Sequence, residues 1–322
     1  MQAIVQDRFG PPDVLELREV GQPEAGQGQV LVRVRAASVN PADWYAMAGI
    51  PLLARPQMGL RRPKTGQVGL DLAGEVAAVG TGVTLFQPGD EVFGAGTGAL
   101  AEHAVASEDA LVGKPANLSF EQAAAVPVAG LTALQGLRDK GRLQPGQQVL
   151  VNGASGGVGT FAVQVAKALG AEVTGVCSTR NVDMVASLGA DRVVDYTRED
   201  FTRTDRRYDL LLDVAGSRPW SACRRVLTQR GILVLVGAPK GSRLLGPVDH
   251  ILKVRLASLR ASQKVVFFIS KALQRDLEAL RELLAAGKVT PVVERTYSLP
   301  DAAEAFRYLG EGHAQGKLVI TV

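Results

Sequence analysis

VLVNGASGGVGTFAVQVAKALGAEVTGVCSTRN runs from Val149 to Asn181, and two motifs fit its centre. Gly153-Ala154-Ser155-Gly156-Gly157 spells G-x-S-x-G, the elbow that carries a hydrolase's serine nucleophile. Ala154, Gly156 and Gly159 spell A-x-G-x-x-G, one residue short of the dinucleotide fingerprint. Both motifs expect a strand, a tight turn and a helix, so the wider pattern must separate them. VLVNG reads as a buried strand, GVGTFAVQVAKALG as a helix closed by Gly170, and AEVTGVC as a second strand. That is a βαβ unit, and the helix N-terminus in it offers free N–H groups and partial positive charge to a pyrophosphate. Gly156 lets backbone approach phosphate, Gly159 lets helix pack on strand, and Ala154 is small enough for the turn. A hydrolase needs an acid and then a histidine further on. His250 and His313 are the histidines after Ser155, and neither sits in a recognisable acid–His arrangement. Ala154, Ser155, Gly156, Gly157, Val158 and Gly159 are therefore assigned to a dinucleotide, with Ser155 on the phosphate side.

The end of the second strand predicts which dinucleotide. NAD sites place Asp or Glu there for the ribose hydroxyls. Cys177, Ser178, Thr179 and Arg180 follow one another without an acid. Arg180 can pair with a 2′-phosphate and Ser178 can donate to it, which favours NADP.

The 322 residues are 46% hydrophobic and 21% charged, an ordinary globular balance long enough for about two domains. The formal charge of +4 is mild, and no dense Lys/Arg run is interleaved with aromatics, which argues against nucleic acid. No apolar run approaches the roughly 18 residues of a membrane span, and the first residues, MQAIVQDRFGPPD, show no apolar signal core. With two cysteines, Cys177 and Cys223, a disulfide framework is not expected and a reducing cytoplasm is.

Up to about Val112 the chain reads as short Val-rich strands between Gly and Pro punctuation, among them QVLVRVRAASV and LAGEVAAVG. NLSFEQAAAVPVAGLTALQGLRDKG is Ala- and Leu-rich, and Ser119 with Gln122 forms a capping box. Strands and helices alternate afterwards: NVDMVASLGA is a short helix, YDLLLDVAG, GILVLVGAP and QKVVFFIS are strands, and WSACRRVLTQR is a helix. Strands this apolar are buried on both faces of a parallel sheet. RDLEALRELLAAG is a helix, TPVVERTYSL a strand, Asp301 and Glu304 cap a last helix, and GKLVITV is a closing strand.

AASVNPADW (Ala36–Trp44), GLDLAGEVAAVG (Gly69–Gly80), PGDEVFG (Pro88–Gly94), the glycine loop and GKLVITV together resemble the medium-chain dehydrogenase/reductase superfamily, in its zinc-independent quinone-oxidoreductase branch. The resemblance spans the whole chain. It implies an α/β protein with a GroES-like β-rich catalytic domain at 1–124 and 272–322, and a Rossmann doubly wound parallel-sheet domain inserted at 125–271. It further implies hydride transfer from NADPH to quinones, enones or related activated carbonyls. Zinc relatives use a ligand cysteine, a His-Glu pair and a four-cysteine lobe. Here Asn40-Pro41 and Leu70 stand at the ligand positions, and no cysteine precedes Cys177. His103 with nearby carboxylates is the weaker metal reading, since it fits an ordinary strand position. Without zinc a simple alcohol is a poor substrate, whereas a conjugated acceptor delocalises its own charge.

The resemblance also carries residues. Asn40 and Tyr45 match positions at the nicotinamide and substrate end, with Asp43 and Trp44 between them. Tyr45 can donate a proton or a hydrogen bond, while Asn40 and Asp43 equally suit a turn beside Pro41. Thr132, Gly216, Ala238 and Phe267, Phe268 and Ile269 match loops along the nicotinamide. Tyr196 matches the adenosine side and Lys317 a cation near the cofactor phosphates, though a solvated lysine at a strand edge reads the same way. Leu60–Lys64, LRRPK, matches one cleft wall. QKVVFFIS, at the end of the strand order, is an open sheet edge that relatives pair across a two-fold axis, so a homodimer is expected. A reading from another class is a non-catalytic NADPH-binding protein that contacts RNA or a protein partner.

Overall fold

The computed structural model describes residues 1–238, 244–246 and 248–322. Its strands, in chain order, are β1 (Gln2–Val5), β2 (Glu16–Glu19), β3 (Gln29–Val39), β4 (Asp71–Val79), β5 (Glu91–Ala95), β6 (His103–Ser107), β7 (Leu111–Gly113), β8 (Gln148–Asn152), β9 (Glu172–Cys177), β10 (Arg192–Asp195), β11 (Tyr208–Asp213), β12 (Leu227–Leu235), β13 (Lys264–Phe267), β14 (Val293–Ser298) and β15 (Lys317–Thr321). Its helices are α1 (Pro41–Ala48), α2 (Arg55–Met58), α3 (Phe120–Ala124), α4 (Pro127–Leu134), α5 (Gly157–Ala168), α6 (Val182–Ser187), α7 (Trp220–Arg225), α8 (Val248–Ala257), α9 (Gln274–Ala285) and α10 (Ala302–Glu311).

Contacts divide the described chain into two compact units. Unit one is Met1–Leu131, Ala272–Gly287 and Pro291–Val322; unit two is Thr132–Lys271 with Lys288–Thr290. The first crossing lies inside α4, whereas the resemblance implies residue 124.

Unit one is a seven-stranded sheet in the order β14-β15-β3-β4-β5-β7, with β6 also on β3, beside a β1-β2 pair. β3 shows why it forms. Val30, Val32 and Val34 alternate inward, while Arg33 and Arg35 point out onto Glu75 of neighbouring β4. The C-terminal strand β15 pairs antiparallel with β3, so both chain ends build this sheet. Its core joins Val30, Val32, Leu72, Val92, Leu111, Phe306 and Ile320.

Unit two is a six-stranded parallel sheet in the order β10-β9-β8-β11-β12-β13. β8 is the first strand in sequence, and the order reverses between β8 and β11. This is the doubly wound arrangement whose ligand crevice lies at the carboxyl ends of the strands beside that reversal. One side of the sheet buries Leu150, Val176, Leu211, Trp220 and Leu233 together. A GroES-like β-rich unit with an inserted Rossmann-like unit is the fold that the motifs imply.

Two local expectations change. The Ala-rich stretch forms α3 and α4, which part at Pro127, a residue with no N–H to continue a helical ladder. The Ser119–Gln122 capping box is present, at 3.1 and 3.2 Å. WSACRRVLTQR is helical only to Arg225, since Leu227 already pairs with Tyr208 of β11 and a bulge carries the strand on to Ile232. Asp301 sits at the last helix's N-cap, but its carboxylate accepts from the Ser298 hydroxyl rather than from the helix. Pro239, last residue of GILVLVGAP, lies outside the described residues.

Candidate functional site

The glycine loop lies at the carboxyl end of β8, beside the reversal in strand order. Gly153 begins the turn at φ +86°, and α5 starts at Gly157 with Gly156 as N-cap and no capping side chain. A helix leaves its first N–H groups without internal partners, so Gly157, Val158 and Gly159 present donors to whatever covers the loop. The two fingerprint glycines serve different ends. A Cβ on Gly159 would lie 2.0 Å from the Gly153 carbonyl oxygen, so the loop closes against its own helix only with glycine there. A Cβ on Gly156 would meet only that same oxygen, at 3.7 Å, and otherwise open space. Buried Ala154 holds the turn, and Ser155 is tied down by Asn181, whose Nδ2 donates to Ser155 Oγ (2.9 Å) and Ser178 Oγ (3.3 Å). Asn181 Oδ1 is buried without a partner among the described residues. An uncapped helix N-terminus, an open glycine and an orphaned acceptor fit a bound dinucleotide. Sequence reading missed Asn181, which stands next to the quoted CSTR.

β9 ends at Cys177, and Ser178, Thr179 and Arg180 form the turn after it. Arg180 is exposed, and Ser178 partly so. The acid that the sequence lacks at this strand end arrives from the neighbour. Asp195 ends β10 in register with Cys177, and Thr179 Oγ1 donates to it at 2.6 Å. The Thr197 N–H and hydroxyl also donate to it, and Arg198 approaches to 3.5 Å. These bonds hold the Asp195 carboxyl below its ordinary range, the Thr179 bond first. Tyr196 follows it, largely exposed. Cys177 is buried, and burial pushes its thiol up to about 11, so it is no nucleophile.

At the carboxyl end of β11, Asp213 is fully buried. Its Oδ1 accepts from Asn152 of β8 (2.7 Å) and from the Gly216 N–H (2.8 Å), while Oδ2 has no partner among the described residues. Burial raises its carboxyl above the ordinary range. Gly216 (φ +62°) lies against Ala238, whose Cα a Cβ would approach to 2.5 Å, so the loops after β11 and β12 converge. Thr132 Oγ1 donates to Ser270 Oγ at 2.9 Å. Of the three expected hydrophobics, Phe268 faces Gly136, while Phe267 and Ile269 are exposed.

Unit one gathers a second set. Asp71 of β4 is fully buried and accepts from Ser38 (2.9 Å), Asn40 Nδ2 (2.9 Å), the Val128 N–H (3.0 Å) and Lys317 Nζ (3.3 Å). It thereby joins β3, α1, α4 and β15. Lys317 is 4% exposed, and its ammonium also reaches Asn40 Oδ1 (2.5 Å) and the Val39 carbonyl (3.4 Å). The expected role as a cation beside cofactor phosphates therefore does not fit: Lys317 is neither solvated nor free to meet an outside anion. Asn40 is likewise engaged at both ends of its amide, which makes it a link in this network.

Asp43, at the third position of α1, accepts the Asn40 N–H at 2.9 Å and closes a capping box. Burial, then the neighbouring Asp71 charge, pushes its carboxyl up to about 7, against the pull of Lys317. It lines a cavity of about 330 Å³ with Phe9, Met47, Gln57, Met58, Lys64, Gln67, Leu70 and Thr97. Ala42, Asp43, Ala46 and Met47 are the α1 residues on this cavity, and Tyr45 is not among them. Tyr45 packs edge-on against Trp44, with ring centroids 5.5 Å apart. Of Asn40, Asp43 and Tyr45, grouped by sequence, the first two are hydrogen-bonded neighbours and Tyr45 stands apart from them on the helix. Pro63 and Lys64 of LRRPK do line the cavity; Arg61 and Arg62 are exposed. Among the described residues no three His, Cys, Asp or Glu side chains gather as a metal site.

Residues 26–116 match the family model of the alcohol dehydrogenase GroES-like domain, and residues 188–320 that of the zinc-binding dehydrogenase. The chain is 34% identical to a chloroplastic quinone-oxidoreductase of Triphysaria versicolor, over 99% of this chain and 98% of that one. It is also 34% identical to the mitochondrial NAD(P)H oxidoreductase RTN4IP1 of Mus musculus, over 100% and 89%. Among solved structures, the quinone oxidoreductase of Coxiella burnetii superposes with a TM-score of 0.87 at 32% identity, covering 100% and 99% of the two chains. The Escherichia coli quinone oxidoreductase complexed with NADPH superposes at 0.83 and 26% identity, with full coverage of both.

Proposed function

Because the chain belongs to the quinone-oxidoreductase-like branch of the medium-chain dehydrogenase/reductase superfamily, we propose that it passes hydride from NADPH to quinones, enones or related activated carbonyls without zinc. The family match supports an NAD(P)H-dependent oxidoreductase; the choice of NADPH, the acceptor class and zinc independence are our reading. The observation that carries it is the uncapped N-terminus of α5 beneath an open glycine, with Ser178 and Arg180 at the following strand end. Bound there, the dinucleotide supplies a hydride. The chain's task is to seat its phosphates on the α5 N–H groups and to favour the 2′-phosphate through Arg180. Asp195 places negative charge nearby, but Thr179, Thr197 and Arg198 satisfy its oxygens.

Zinc does not suit the residues present. Asn40-Pro41 and Leu70 occupy the ligand positions, Asn40 is held inside the Asp71–Lys317 network, and Leu70 lines the cavity. Gly216, Ala238, Thr132 and Ile269 are proposed to border the nicotinamide, and Tyr196 the adenosine. We further place the protein as a homodimer in the reducing cytoplasm. Two buried unpaired thiols suit such a compartment, and no helix among the described residues is long and apolar enough to cross a membrane.

NADPH and NADH oxidation against a panel of quinones, enones and simple alcohols, before and after chelation, tests this. Steady turnover of quinones or enones with NADPH, unchanged by chelation, is expected. Tight NADPH binding with no turnover across the panel would replace the enzyme with a binding protein, and one tightly held zinc per chain would end the zinc-free reading.

A further inference from the structure

We infer that the cavity in unit one seats the carbonyl end of the acceptor and that Asp43 gives that carbonyl oxygen its proton. This rests on the reductase reading above and extends it.

The reaction requires such a group. When hydride adds to a conjugated carbon, the electron pair of the broken π bond shifts to the carbonyl oxygen. A donor must then neutralise that oxygen as enol or hydroquinone. The proton leaves the Asp43 carboxyl for the oxygen, Asp43 becomes a carboxylate, and water returns one proton per cycle. Hydride plus proton balances the two-electron reduction.

The geometry singles out Asp43. Its residue is 6% exposed, yet it lines the cavity. Asn40 and Lys317, the other polar groups nearby, are engaged with one another and with Asp71. Tyr45 lies off the cavity face of α1, and Lys64 at the cavity is exposed. The cavity joins apolar sides from Phe9, Met47 and Met58 with neutral polar groups from Gln57, Gln67 and Thr97. That lining fits a neutral, ring-sized carbonyl compound.

The charged groups around Asp43 set its direction of titration. Desolvation and Asp71 on β4 oppose its ionisation, while the Asn40 N–H, Lys317 on β15 and the Asn40 side chain favour it. The balance leaves the carboxyl at about 7, near the pH at which a proton donor works best. An acid must be protonated to act, so kcat should fall as pH rises through that value.

Asp43→Asn keeps an oxygen for the Asn40 N–H and removes the proton. With 1,4-naphthoquinone and a simple enone, its kcat should fall about 10²- to 10⁴-fold, with the acceptor KM within about threefold and the melting temperature nearly unchanged. The descending limb near pH 7 should vanish. Ala46→Phe narrows the cavity without touching the carboxyl, and should raise the acceptor KM at least about tenfold while NADPH binding holds. It remains informative if Asp43→Asn folds poorly. Wild-type turnover with an Asp43→Asn variant that keeps its rate and pH limb overturns the role of Asp43. An unchanged acceptor KM in Ala46→Phe overturns the cavity. A wild type inert to the whole panel defeats the reductase reading instead.

Discussion

Arg180 follows β9 by three residues and carries the cofactor proposal at the scale of a single side chain. A charge-assisted hydrogen bond contributes roughly 1.5–3 kcal/mol, so Arg180→Ala should weaken NADPH binding about 10- to 150-fold. NADH lacks the phosphate and should bind almost as before; Ser178→Ala should act in the same direction but less. Titration with both cofactors checks this, and equal weakening of the two would remove the main support for NADPH. Asp71 carries a different prediction. Asp71→Ala strands the buried Lys317 ammonium and should cost about 3–5 kcal/mol, read as a loss of roughly 10 °C in melting temperature. Adding Lys317→Met should restore part of that loss, because the double variant buries no lone charge. If the two losses simply add, the pair is not coupled. Neither Lys317 nor Asp195 was legible in its true setting. Lys317 reads as a solvated strand-edge lysine because Asp71 is 246 residues away in sequence, and Asp195 meets Thr179 only through the β9–β10 register.

At the level of the element, the β8–loop–α5 unit was readable in advance because its signals are local. A strand, a glycine turn and a buried apolar helix occupy consecutive residues, and each glycine has its own steric reason. Gly156→Ala places a methyl in open space at an N-cap, so it should cost no more than about 1 kcal/mol of stability and still weaken dinucleotide binding. Gly159→Ala drives a methyl into the Gly153 carbonyl and should destabilise the fold as well as abolish binding. Melting curves beside cofactor titrations separate the two; equal loss of stability would mean that the Gly156 side of the loop is packing rather than a cradle. The helix breaks at Pro127 and Arg225 were harder to read. Propensity allows a longer helix at WSACRRVLTQR, and only pairing of Leu227 with Tyr208 decides for a strand. The α1 face was harder still, since residue spacing places Asp43 and Tyr45 close in sequence but does not show which side of the helix a cavity will occupy.

For the whole molecule the open question is what covers the outer edge of the parallel sheet. β13 ends the strand order with β12 on one side only, and an unpaired edge strand is a template for another chain. Val248, Leu252 and Leu256 recur every four residues along α8, and Leu259, Phe267 and Ile269 add to them, with Leu256 67% and Ile269 77% exposed. Exposed apolar side chains on the edge strand and on α8 suit an interface, and a two-fold axis would let the same strand and helix face serve both copies. The proposed homodimer should therefore appear in light scattering at micromolar concentration. Leu256→Glu combined with Leu259→Glu removes four apolar side chains from a two-fold interface. At about 1.5 kcal/mol or more for each, the loss is about 6 kcal/mol, roughly 10⁴-fold in dissociation constant. The variant should be monomeric and should still bind NADPH, because neither Leu256 nor Leu259 is among the residues assigned to the dinucleotide. A wild type that scatters as a monomer, or a double variant that remains a dimer, means that this edge is covered in some other way.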